Sequence, residues 1–168
     1  MPYSGRYKVS NVKKYKGDFT NVIYRSMWER LCFKWCDENP KVKEWSSEET
    51  VVPYFYDVDK KYHRYFIDLK IKTNEGRVIL VEIKPDHQTR PPESQRKTKK
   101  YLSESLAYVK NQCKWRAADT FAKDRGWQFQ IWTEKTLQEM KLLQGPVPGK
   151  LGKFKPYKPF RKKRRKKL

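Results

Sequence analysis

Two apolar runs flanking a glycine turn constrain this chain more than any other feature. They are Tyr65–Lys72 and Val78–Pro85, with Asn74, Glu75 and Gly76 between them. The β-branched and aromatic content of the runs and the turn chemistry predict a β-hairpin. Along the first run Tyr65, Ile67, Leu69 and Ile71 alternate with Phe66, Asp68, Lys70 and Lys72. In the second, Ile79, Val81 and Ile83 share one face, and Leu80, Glu82 and Lys84 share the other. Asp68 joins Glu82 and Lys84 only if the register sets it alongside them, because a slip by one residue reverses every side chain. Charged groups in such strands are costly to desolvate unless they are paired or bind an ion. A solvated face with an ordinary cross-strand ion pair is the bland alternative. The near-continuous apolar character of the second strand argues against it. Two carboxylates offer hard oxygen ligands to a divalent cation, and an ammonium beside them suits a phosphate. Metal-assisted phosphodiester hydrolysis requires both.

A third carboxylate comes from an upstream helix. From Tyr24 onward, Met27, Trp28, Leu31, Cys32 and Trp35 recur at helical spacing, and the helix should end near Asn39 and Pro40. Glu29 lies off the centre of this stripe, with Arg25 one turn before it on the same flank. That flank can meet the edge of a sheet while the stripe packs on its surface. Cys32 and Cys36 stand one turn apart, which raises a zinc site; a cysteine in an apolar stripe is more often a small buried hydrophobe. His63 and His87 flank the hairpin and read as exposed loop histidines.

The rest of the pattern gives a single α/β domain, a mixed sheet flanked by helices, over 21–144. An extended basic arm (1–20) precedes it and a basic tail (145–168) follows. Residues 50–58 form a strand whose Pro53 suits an edge. The segment 86–100 reads as a polar loop. Two helical pieces follow, one over Tyr101–Cys113 and one from Trp115 to Gly126. A strand over Trp127–Thr133 and a short helix from Thr133 close the domain.

Charge supplies the partner. Lys and Arg total 40 against 19 Asp and Glu, a formal net charge of +21. Such an excess repels itself in a compact fold and favours a polyanion, of which nucleic acid is the commonest. Arg90, Arg96, Lys97, Lys99 and Lys100 are placed to line a DNA approach beside the hairpin. Arg161, Lys162, Lys163, Arg164 and Arg165 of the tail would bind phosphates without reading sequence. Three cysteines without a paired framework fit a reducing, intracellular compartment. No apolar run reaches membrane-spanning length, so no membrane partner is expected. The oligomeric state is not written in the pattern.

The segments Tyr24–Glu29, Phe66–Asp68 and Val81–Pro85, with the helices before Trp127 and the strand ending at Trp132, together resemble the PD-(D/E)xK nuclease superfamily, a restriction-endonuclease-like fold. Within it the chain is most similar to TnsA-type transposase endonuclease domains and to head completion nucleases of large tailed phages. Ile67 replaces the motif's proline before the aspartate. The resemblance implies Mg²⁺, with Mn²⁺ as an alternative, held by Asp68, Glu82 and the main-chain carbonyl of Ile83. Glu29 would bind the metal directly or through water. Lys84 would orient the attacking water and stabilise transition-state charge, while Arg25 would contact DNA. It also implies DNA as substrate, phage head or neck proteins as partners, and a location in the host cytoplasm and on the virion. A transposase-type or junction endonuclease, and a non-catalytic basic DNA-binding or neck protein, are the alternative readings.

Overall fold

A computed structural model describes residues 3–144. Eight strands and three α-helices follow one another in the order β1 (Gly5–Arg6), β2 (Ile23–Tyr24), α1 (Met27–Glu38), β3 (Val42–Ser46), β4 (Val51–Tyr56), β5 (Lys61–Phe66), β6 (Leu69–Thr73), β7 (Val78–Ile83), α2 (Lys99–Asp124), β8 (Gln128–Trp132) and α3 (Glu134–Glu139). The central sheet has the order β3-β6-β7-β8. β3–β6 and β6–β7 are antiparallel, and β7–β8 is parallel, with α2 as the crossover. This is the mixed α/β architecture expected from the sequence. No helix among the described residues is long and apolar enough to cross a membrane.

Each sheet face has its own core. On one side α1 and the N-terminal segment bury Cys32, Phe33 and Cys36 against Trp45, Leu69, Ile71, Val81 and Ile83. On the other side α2 and the β4–β5 hairpin bury Trp115, Ala118 and Ala122 against Val52, Tyr54, Tyr65, Ile67, Leu80 and Phe129. A central strand covered on both faces must be apolar on both, which is why β7 reads as an almost unbroken apolar run. Gly76 closes the β6–β7 turn at φ +87°, a conformation that glycine adopts without steric cost.

The structure corrects several expectations. The continuous strand over 65–72 is broken at Ile67–Asp68, where the chain leaves the β4–β5 hairpin for the central sheet. Tyr65 and Ile67 therefore face the α2 core, while Leu69 and Ile71 face the α1 core. The two helical pieces after residue 100 are one 26-residue helix, which begins at Lys99 with Thr98 as its N-cap and so takes Lys99 and Lys100 out of the loop. The α1 stripe is centred on Cys32, Phe33 and Cys36, and Met27 is exposed. β3 went unanticipated. Residues 3–20, expected as an extended arm, are packed against the domain: Val9 and Tyr15 are buried, and β1 pairs with β2.

Buried Asp37 anchors this N-terminal segment. It accepts hydrogen bonds from the Tyr7 hydroxyl (3.0 Å) and the backbone N–H groups of Ser10 (2.6 Å) and Asn11 (3.1 Å). Lys14 adds a second tie, donating from Nζ to the carbonyls of Cys36, Asp37 and Asn39 at the C-terminal end of α1. A cation suits the negative end of a helix dipole.

Candidate active site

The β6–β7 register pairs Leu69 with Val81 and Lys70 with Leu80. Continued by one pair, it sets Asp68 opposite Glu82. The Asp68 Oδ2 accepts the Ile83 N–H at 2.9 Å, a contact across the same two chain segments. On β7, Lys84 Nζ lies 3.3 Å from Glu82 Oε1, with Glu82 only 4% exposed. The structure therefore brings Asp68, Glu82 and Lys84 together at the end of the hairpin.

Tyr65 completes the cluster, and sequence reasoning assigned it only to a strand face. Its hydroxyl donates to Glu82 Oε2 within the core. Burial, the Glu82 and Asp68 charges and the hydrogen bond to Glu82 all push the phenol well above its ordinary value, so it remains a donor. The break at Ile67–Asp68 separates β5 from β6, so Tyr65 from the end of β5 and Asp68 from the link both lie beside Glu82. Lys114 of α2 reaches the same neighbourhood. Its ammonium lies 5.3 Å from the Tyr65 ring centroid and 6.0 Å from that of Tyr54. Burial lowers its pKa, opposed by the Glu82 charge and reinforced by Lys84 and Lys110. Neither placement could be read from the sequence, because Tyr65 depends on the chain break and Lys114 on how α2 docks across the β4–β5 hairpin.

Burial raises the Asp68 carboxyl well above the usual range, and the Glu82 charge adds to the effect, against the lowering influence of the Ile83 N–H. A carboxylate pair in this state is suited to a cation, which removes the repulsion that burial magnifies.

Glu29 stands apart from this group. Ser26 caps α1 by accepting the Glu29 N–H at 3.1 Å, while the Glu29 side chain accepts the Arg25 N–H (2.8 Å) and the Ser26 hydroxyl (3.4 Å). It thus closes a reciprocal cap at the helix N-terminus. It is near enough for its charge to act on Asp68, and burial raises its own carboxyl. Among the described residues no three His, Cys, Asp or Glu side chains form a ready metal cage. Asp68 and Glu82 as a pair nevertheless fit Mg²⁺, which takes hard oxygen donors, uses few carboxylates and keeps several waters.

The predicted DNA contacts divide into three groups. Arg25 is engaged by Glu48 (Nε to Oε1, 2.9 Å), a residue held at φ +54°. Arg90 is engaged by Asp86 at 2.7 Å, and Lys135 shares that carboxylate at 3.0 Å. Arg96, Lys97, Lys99 and Lys100 are exposed around the start of α2, with Lys100 3.9 Å from Glu104. Arg161, Lys162, Lys163, Arg164 and Arg165 lie outside the described residues. His63 pairs with Asp59 at 2.6 Å, and His87 lines a cleft with Arg90 and Tyr108. Cys32 and Cys36 are buried in the α1 core, and burial drives both thiols far above their ordinary value, which opposes the thiolate form that zinc needs.

Comparison with known proteins adds an independent line. The family model for the TnsA-like endonuclease N-terminal domain matches residues 39–134. The chain is 38% identical over 145 residues to the head completion nuclease of Enterobacteria phage T4, an alignment covering 83% of this chain and 97% of that protein. No solved structure matches the chain.

Proposed function

The chain belongs to the TnsA-like endonuclease family, and from that premise we propose that it hydrolyses DNA phosphodiester bonds at Asp68, Glu82 and Lys84 during completion of a phage head. The observation that carries the reading is the convergence of one ammonium and two carboxylates, Lys84 on Glu82 at 3.3 Å and Asp68 on the Ile83 N–H at 2.9 Å. The substrate follows from the +21 charge and the nuclease character of the family. The head-completion setting follows from the relative of Enterobacteria phage T4.

Asp68 and Glu82 would hold Mg²⁺ or Mn²⁺. The Ile83 carbonyl would be a further ligand, in keeping with an extended strand residue that turns its N–H and C=O to the same side and with the Ile83 N–H on Asp68. When bound, the cation supplies charge neutralisation at the scissile phosphate and acidifies a water. The Ile83 N–H fixes the Asp68 rotamer, and the Tyr65 hydroxyl fixes that of Glu82. Lys84, steered by Glu82, offers its ammonium to the oxygen on which negative charge develops. Glu29, tied to its own helix cap, would act through water at the margin of the site.

The test is cleavage by Asp68→Asn, Glu82→Gln and Lys84→Ala. Each should lower divalent-dependent cutting by about 10³-fold or more, with DNA affinity kept. Cutting by any two of these variants at the parental rate would sink the assignment. A transposase-type or junction endonuclease is the second reading, favoured by the family model, and comparing branched with linear DNA substrates separates it. Protein that binds DNA yet cuts nothing with any divalent cation would instead be the basic DNA-binding or neck component.

A further inference from the structure

Three lysines from two elements approach one another beside the carboxylates. Lys84 extends from the end of β7 and is held by Glu82 at 3.3 Å. Lys114 lies over Tyr65 and Tyr54 at 5.3 and 6.0 Å. One turn earlier on the same face of α2, Lys110 lies over Tyr56 at 5.3 Å. These tyrosines belong to the β4–β5 hairpin, so the ammoniums run along the seam between hairpin and helix toward Glu82. Like charges one helical turn apart destabilise a helix, and the Lys84 and Lys110 charges both disfavour the charged form of Lys114. Among the described residues the ion pairs at the site are Lys84–Glu82 and Arg25–Glu48, and neither Lys110 nor Lys114 belongs to an ion pair, unlike Lys100 and Lys123 of the same helix. The carboxylate nearest in charge to Lys114, Glu82, is already engaged by Lys84 and Tyr65.

We propose that Lys114 and Lys110 form a binding site for backbone phosphates of the strand being cut, next to the scissile phosphate that Lys84 faces. The ligand class is the phosphodiester anion of DNA, which carries one charge per nucleotide and matches a row of cations. The ammonium heads themselves lie over the tyrosine rings, Lys114 partly buried and Lys110 exposed, so the cations are set in place before DNA arrives. Phosphate contacts of this kind fix the register of a strand without reading bases. The inference rests on the nuclease reading for the identity of the strand, and not for the existence of the anion site.

The experiment uses the full chain with Asp68→Asn to keep DNA intact, and measures affinity against salt for Lys114→Met, Lys110→Met and Lys114→Arg. Met keeps an unbranched apolar side chain of similar length and removes the charge. Lys114→Met should weaken binding about 10-fold and reduce the salt slope by about one. Lys110→Met should act in the same direction but less, and Lys114→Arg should retain most of the affinity. Replacing single phosphates near the cut by neutral methylphosphonates should penalise the protein with Lys114 at one position and leave Lys114→Met indifferent there. Equal penalties in both proteins at every position would overturn the proposal. So would a Lys114→Met protein of lowered melting temperature but unchanged affinity and salt slope, which would make the lysine a packing residue. If the wild-type chain cuts no DNA with any divalent cation while the methylphosphonate pattern holds, the nuclease reading fails and the phosphate site stands. If cutting is normal and the pattern is absent, the reverse is true.

Discussion

Tyr65 donates its hydroxyl to the Oε2 of Glu82 while Lys84 holds the Oε1 of the same carboxylate. One buried anion is thus gripped from both sides, by a phenol on the strand before the chain break and by an ammonium two residues along its own strand. The grip fixes where the oxygens of Glu82 point, as its proposed role as a metal ligand would require.

Tyr65→Phe removes one side of the grip and no core volume beyond an oxygen. Partners that orient metal ligands are worth about 10–100-fold in metal affinity or activity. The variant should therefore need about 10-fold more Mg²⁺ for half-maximal cleavage and recover much of its rate at saturation. A metal titration of the cleavage rate checks this, and an unchanged titration curve would remove Tyr65 from the site.

Asp68 should cost the metal-free protein stability. Burial and the neighbouring Glu82 raise its folded-state pKa above that of the unfolded chain. A raised carboxyl favours the fold fully below the unfolded pKa, and the benefit fades as pH rises through the folded value. Without divalent cations, Asp68→Asn should melt about 3–6 °C higher than wild type near neutral pH, roughly 1–2 kcal/mol for a domain of this size. The gap should narrow as pH falls toward the ordinary aspartate range. Thermal melts across pH with a chelator present measure it, and a gap that widens on acidification has the wrong sign.

Glu29 carries two duties that substitution can separate. Its side chain closes the cap of α1, and its charge acts on Asp68. Glu29→Gln retains an acceptor for the Arg25 N–H, so the melting temperature should stay near wild type while cleavage falls about 10-fold. Glu29→Ala should lose the cap as well, at about 1 kcal/mol. Equal cleavage by wild type and Glu29→Gln would leave Glu29 a capping residue alone.

Asp37 should matter to the fold and not to the chemistry. Three donors from the N-terminal segment converge on it. Asp37→Ala removes the acceptor these part-buried donors share, at about 1–3 kcal/mol in all because water can reach some of them. Proteolysis should then open residues 3–20, while surviving protein cleaves at the parental rate. Resistance equal to wild type would contradict the anchoring role.

Much of the candidate site's geometry was legible because it obeys the period of a strand. Glu82 and Lys84 share a face by alternation alone, and the Gly76 turn fixes the register that sets Asp68 against Glu82. Glu29 was found by helical spacing, although its engagement with Arg25 and Ser26 needs coordinates. What stayed hidden breaks a period or crosses between elements. β3 carries a register shift between Val42 and Glu44, which interrupts its alternation. The Ile67–Asp68 break reverses the faces of Tyr65 and Leu69 within a run that looks uniform. Lys114 looks like any helix lysine until the β4–β5 hairpin is laid across α2.

The parallel pairing of β7 with β8 bears on how the protein is made. Glu82 of β7 and Lys84 just beyond its end, which engage each other, emerge from the ribosome well before Gln128–Trp132, the partner that covers the open edge of β7 and accepts the Lys84 N–H on the Trp132 carbonyl at 3.0 Å. Until the long α2 crossover has been synthesised and laid down, that edge has unpaired backbone groups and is open to pairing with another chain. Competence to cut would therefore arrive late in translation, after nearly four-fifths of the chain, and an interrupted product would be sticky before it was destructive.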